Sequence, residues 1–76
     1  MPVYQNPSMR QITREIKKSG YLRVVRDKMS GDVYAWPGGE GLHEEVIRRL
    51  GLSDMTENLG QAFSAEDFAR ILATDG

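Results

Sequence analysis

The sequence has no cysteine, one histidine, one tryptophan, two phenylalanines and three prolines in 76 residues. Without cysteine it has neither disulfides nor thiolate metal sites, two of the devices by which small domains make up for a thin core. A chain of this length buries only about 60% of the surface its unfolded form exposes. Stability then rests on packing, with a partner or a second copy of the chain as the remaining source of help. No apolar run approaches the roughly 18 residues of a membrane span. The opening "MPVYQNPSMRQ" has no apolar stretch like that of a signal peptide. These absences together make a cytoplasmic protein the expectation.

What is present suits a folded domain, with 39% apolar and 28% charged residues. The chain reads as one small domain over 1–76, with 1–7 as an extended lead-in and 73–76 as a fraying tail. The formal net charge of −1 conceals a division, because residues 1–38 hold seven Lys/Arg against three Asp/Glu and residues 39–76 hold three against eight. Such asymmetry either marks a charged partner or draws the two halves together within the fold. A compact domain sets the halves side by side, which favours the second.

Ser8 with Gln11 three positions on is a capping box, so a helix starts there. Met9, Ile12 and Ile16 form its apolar stripe, Arg10, Arg14, Lys17 and Lys18 take the wet side, and Gly20 is a stop. "YLRVVR" alternates, with Leu22 and Val24 on one face and Tyr21, Arg23 and Val25 on the other. The turn residues of "DKMSGD" lead into a second strand, "VYAW", which Pro37 ends because it has no N–H to donate. The two strands make an antiparallel hairpin, which needs a helix across one face. "GGEG" turns the chain into a second helix over about Leu42–Leu50, with Leu42, Val46, Ile47 and Leu50 inward. Glu40, Glu44 and Glu45 stand near its start and Arg48 and Arg49 near its end, as the helix dipole prefers. Gly51 and Leu52 suit a Schellman closure. "SDMTENLGQA", 53–62, reads as a loop or one irregular helical turn. A last helix runs over about Ala65–Leu72, capped by Ser64, with Phe63 stapled onto Phe68. The sum is an α+β domain of order αββαα: a hairpin, with room for a third short strand, and two to three helices on one side of it.

Five kinds of chemistry can be weighed on these residues. His43 is the only candidate base, no Gly-x-Ser-x-Gly elbow is present, and "HEEVI" puts Ile47 where a metalloprotease helix needs its second histidine. His43 with Glu40, Glu44 or Glu45 makes a weak oxygen-rich metal set, so the plainer reading is a structural imidazole. "WPGGEGLHEE" has the strand–loop–helix order of an anion cradle, but it lacks the P-loop lysine and three glutamates at that helix start repel phosphate. The glycines read instead as backbone room for a sharp corner under Trp36. Glu40 and Glu44 are a turn apart, but a pair of catalytic carboxyls needs a cleft to raise one pKa. Arg10, Arg14, Lys17 and Lys18 with Arg23, Arg26 and Lys28 offer a basic surface on which Tyr21 and Tyr34 would stack bases, against a pI near 5.7 that is low for a dedicated nucleic-acid binder. Glu40, Glu44, Glu45, Asp54 and Glu57 offer the opposite surface, for a basic partner.

"LRVVRDKMSGDVYAWPGGEGLHEEVIRRLGL" resembles a short module of phage and prophage polyproteins, also found beside minor head proteins. Gly31, Asp32, Tyr34, Trp36, His43, Leu50 and Gly51 carry the resemblance over about residues 20–52, and Pro37 stands where the module has an acidic residue. No catalytic residue carries over from the resemblance, and no cofactor is expected. In size and style the chain is similar to the small host-takeover proteins of phages, such as anti-CRISPR inhibitors. The reading that follows is a non-enzymatic protein-binding module in the bacterial cytoplasm, holding a larger protein or ribonucleoprotein complex. Arg14, Lys17, Arg23 and Arg26, or Glu40, Glu44 and Glu45, would supply its contact surface, with Tyr21 and Tyr34 as an exposed pair of anchors and Trp36 and His43 as scaffold. The alternative is direct nucleic-acid binding through the basic half.

Overall fold

Val24 and Val25 are consecutive in one strand, and both are fully buried. Successive strand residues point to opposite faces, so this strand must be covered on both sides. In the computed structural model, which describes residues 3–52 and 55–73, it is. The elements run β1 (Tyr4–Gln5), α1 (Met9–Ser19), β2 (Leu22–Asp27), β3 (Val33–Pro37), a 3₁₀ turn (Gly38–Glu40), α2 (His43–Leu50), β4 (Thr56–Ala62) and α3 (Ala65–Ala73). The sheet is antiparallel, in the order β1-β3-β2-β4. Helices α1 and α3 cover one face, where Ile12, Leu22, Val24, Ala35, Ala62 and Phe68 pack together. Helix α2 covers the other, where Val25, Trp36 and Val46 pack.

The α+β class stands, but its arrangement differs from the expected αββαα. The helices lie on both faces of the sheet, not one, and four strands replace the hairpin. The paired burial of Ala35 and Trp36 in β3 repeats the signal of Val24 and Val25. Within the lead-in, Tyr4 and Gln5 form a short edge strand against Ala35 and Tyr34; residues 1–2 lie outside the described residues. Asn6 and Gln5 donate side-chain hydrogen bonds to Asp32, at 2.9 and 3.2 Å. The bond from Asn6, with lesser help from Ser30 and Gln5, holds the Asp32 carboxyl below its ordinary pKa. Tyr4 O–H donates to Glu15, a carboxylate with only 6% exposure on the inner side of α1. That bond first, and burial second, raise the Tyr4 phenol above its ordinary value.

The larger difference is β4, where a loop or helical turn was expected over 53–62. Its sequence, TENLGQA, has neither a steady alternation nor more than one β-branched residue. A bulge explains the missing alternation: Gly60 faces Val24 and Asn58 faces Val25, so Leu59 has no opposite number and turns to the α1/α3 core. Bulges and polar side chains are common guards of exposed sheet edges. Residues 53–54, including Asp54, lie outside the described residues.

Helix ends follow the sequence closely. Gln11 N–H donates to Ser8 Oγ and Ser8 N–H to Gln11 Oε1, closing the capping box. At the end of α2, Gly51 takes φ +70°, its N–H reaches Arg48 O, and Leu52 N–H reaches Ile47 O at 3.1 Å, which completes the Schellman closure. Asp67 N–H donates to Ser64 Oγ at 3.0 Å, so Ser64 caps α3. Helix α3 continues to Ala73, and 74–76 lie outside the described residues. The inward stripes are narrower than expected. Met9, Leu42 and Leu50 are 45, 56 and 38% exposed, because an eleven-residue and an eight-residue helix each bring few side chains to a small sheet.

Both cores share β2, so they should fail together. Replacing Phe68, at 1% exposure in the α1/α3 core, with alanine is expected to cost about 3–5 kcal/mol. The fluorescence of Trp36, on the opposite face, should report the same shifted denaturant midpoint as circular dichroism. A Trp36 transition that stays put would mean that the two faces unfold independently.

Candidate functional site

The corner after β3 gathers most of the residues with interesting chemistry. Trp36 is fully buried under α2, and its indole N–H, which a buried position must satisfy, donates to Gly41 O at 2.9 Å. This folds residues 38–41 back over the end of the sheet. Gly38 N–H donates to Tyr21 O at 3.1 Å. The Gly38 backbone then lies so close to the Tyr21 ring that a β-carbon at 38 would stand 2.0 Å from a ring carbon. Gly38 is required by this close approach, so the glycine room expected under Trp36 is used by Tyr21.

Arg23 binds the same corner. Its Nε donates to Gly38 O at 3.0 Å, and its guanidinium lies 5.7 Å from the centre of the Tyr21 ring, within cation–π range. Phe63, expected to staple onto Phe68, stacks instead on Tyr21 with ring centres 5.3 Å apart and planes 23° apart, while remaining 57% exposed. Phe68 goes to the α1/α3 core, so the two phenylalanines serve different places. Tyr21, Arg23, Gly38, Glu40, Leu42 and Glu45 line a shallow open depression of about 400 Å³.

His43 packs edge-on against Trp36, with ring centres 5.5 Å apart, and its Nε2 donates to Gly60 O of β4 at 3.3 Å. Burial lowers its pKa, the Arg23 charge adds to the shift, and the Gly60 carbonyl opposes it. The imidazole ties α2 to β4. Among the described residues no three His, Cys, Asp or Glu side chains come together as a metal site.

The expected binding residues are distributed unevenly. Tyr21, Arg23, Glu40 and Glu45 meet at the depression. Glu44 is exposed on the first turn of α2, over a neighbouring hollow with Leu42 and Arg48. Arg14 and Lys17 are exposed on α1, across the sheet from Arg23. Arg26 also points to that opposite face. It donates to Leu72 O at 3.0 Å, bonding a carbonyl in the last turn of α3, and stands 3.9 Å from Glu57. The continuous basic surface expected from α1 and the hairpin is therefore split by the sheet. Tyr21 and Tyr34 are both half-buried and form no exposed pair, since Tyr21 adjoins the Gly38 corner while Tyr34 pairs with Val25 farther along the ladder and packs under α2. Phe63 and Leu42 were missed as surface residues because periodicity assigned both to helix packing. The signal that could have placed Phe63 is its position just outside the Ser64 cap, at the end of a strand.

Compared with protein families, with curated proteins and with solved structures, the chain finds no match. No helix among the described residues is long and apolar enough to cross a membrane.

The His43 shift fixes a pH dependence. Unfolding frees the imidazole to take a proton at its ordinary value of 6.5, whereas burial holds the folded value lower. The unfolded state then binds more protons, so this group's contribution is complete above that ordinary value and is lost as pH falls through the folded one. Urea unfolding from about pH 7 down to about pH 5 should show a smaller loss of stability for His43→Gln than for the parent. Parallel curves would refute a buried, proton-poor His43.

Proposed function

We propose that this protein is a non-enzymatic binding module that occupies a surface on a larger protein or ribonucleoprotein assembly, and that it does so with the Phe63–Tyr21 shelf. One observation carries the reading: the domain buries Trp36 and Phe68 fully yet leaves Phe63 57% exposed, stacked on a second aromatic at the edge of an open depression. Rigid aromatic side chains are the usual anchors of protein interfaces, since they offer large area at low entropic cost. Leu42, 56% exposed, adds apolar surface to the same depression, and Arg23 and Glu45 give it polar edges. The resemblance of residues 20–52 to a phage module suggests a phage or mobile-element origin. The target would then be a host complex in the bacterial cytoplasm, with inhibition of a defence system as one consequence.

Direct nucleic-acid binding draws less support, because Arg23 and Arg26 lie on opposite faces of the sheet and both hold backbone carbonyls. The discriminating experiment is affinity capture from bacterial lysate with the parent, Phe63→Ala, and Arg14→Gln/Lys17→Gln as baits. The expected result is a defined complex retained by the parent and the α1 variant after nuclease treatment, and lost with Phe63→Ala. Capture that disappears with nuclease or with the α1 substitutions, and survives Phe63→Ala, would replace this reading with the nucleic-acid one.

A further inference from the structure

Tyr21, on which the exposed Phe63 stacks, and the most acidic stretch of the described chain line one depression. Glu40 and Glu45 line it beside Tyr21, Glu44 follows on the same turn of α2, and all three glutamates are exposed. The one cation in the lining, Arg23, is half-buried, with its Nε committed to Gly38 O. His43, on the first turn of α2, has its pKa lowered by burial, which disfavours a positive charge there. The charged side chains lining the depression are then two exposed carboxylates against one partly committed guanidinium, and Tyr21 is the aromatic among them. Tyr21 already accepts a guanidinium, that of Arg23, at 5.7 Å. Phe63 extends this aromatic surface outward with 57% of its area open.

We propose that the shelf takes a basic segment of a partner protein, with an arginine or lysine side chain laid on the Phe63–Tyr21 pair and its charge set against Glu40 and Glu45. This rests on the protein-binding reading above and names the chemistry of the partner. Desolvated cation–π contacts gain from a nearby carboxylate, because the anion supplies the charge balance that water no longer gives. A phosphate-bearing partner meets repulsion from the same three glutamates. The exposed Leu42 contacts the aliphatic stem of the bound side chain.

The test uses the whole chain labelled for amide NMR and three short peptides: alternating arginine and glycine, alternating glutamate and glycine, and alternating leucine and glutamine. A single-stranded oligonucleotide is the fourth probe. The arginine peptide is expected to shift Tyr21, Gly38–Leu42 and Phe63, with affinity falling as salt rises. Phe63→Leu, which keeps apolar area but removes the ring, should weaken it about two- to fivefold, as should Glu40→Gln/Glu45→Gln. Arg14→Gln/Lys17→Gln should leave it unchanged. No shift at the shelf with the arginine peptide, or full affinity in Phe63→Leu, overturns the proposal. Equal binding of the leucine–glutamine peptide also overturns it, while leaving the protein-binding reading in place. Shelf shifts produced by the oligonucleotide overturn both.

Discussion

The hydrogen bond from the Trp36 indole to Gly41 O is the constraint on which the proposed binding face depends. A fully buried indole N–H must find an acceptor, and this one finds it five residues on, in its own chain. Satisfying it closes the loop after β3 into a tight corner. That corner presses Gly38 against Tyr21, starts α2 over the second face of the sheet, and leaves Glu40 and Glu45 around one depression with Tyr21. A tryptophan that belongs to the core thus determines what stands on the surface. Trp36 and His43 position the charged and aromatic groups that the proposed binding would use.

The architecture spreads a small number of apolar residues over two faces. One core is built on Ile12, Leu22, Val24, Ala35, Ala62 and Phe68, and the other on Val25, Trp36 and Val46. Domains of this size keep only a few kcal/mol in reserve. Neither layer is deep, and β2 and β3 are common to both, so each face stabilises the other through the sheet. Polar bonds close the margins. Arg26 bonds a carbonyl in the last turn of α3, Tyr4 meets the buried Glu15, and Asp32 gathers the lead-in beneath the β2–β3 turn. Arg26 reads from sequence as part of a basic contact surface, and it works as a fastener between β2 and α3.

Local signals in the sequence were legible where the chemistry is local. The Ser8–Gln11 box, the Ser64 cap and the Gly51–Leu52 closure all lie within a few residues of their partners, and each appears as read. The face assignments of Leu22, Val24, Tyr21, Arg23 and Val25 also follow from strand alternation. Partnerships across the chain were not legible. Strand β4 was hidden because its bulge at Leu59 breaks the period of two and its residues are mostly polar. The second covered face was written in the consecutive apolar pairs Val24–Val25 and Ala35–Trp36, yet a hairpin with one polar face has nearly the same composition. At the candidate site, Tyr21, Arg23, Glu40 and Glu45 were selected on residue type, and the fold brings them together. Tyr34 and Arg26 were selected on the same grounds, but Tyr34 packs half-buried under α2 and Arg26 bonds α3. Phe63 reached the shelf through a long-range stack that no spacing rule encodes.

The most direct test is a double-mutant cycle between Gly38 and Tyr21, read by urea unfolding. Gly38 does not hold a left-handed backbone, and the nearest atoms a methyl there meets belong to the Tyr21 ring, from 2.0 Å away. The expected outcome is a cost of about 1–3 kcal/mol for Gly38→Ala in the parent, falling below about 0.5 kcal/mol in a Tyr21→Ala background, a coupling far outside additivity. Equal costs in the two backgrounds would show that the corner does not seat Tyr21, and the shelf built on it would have no foundation.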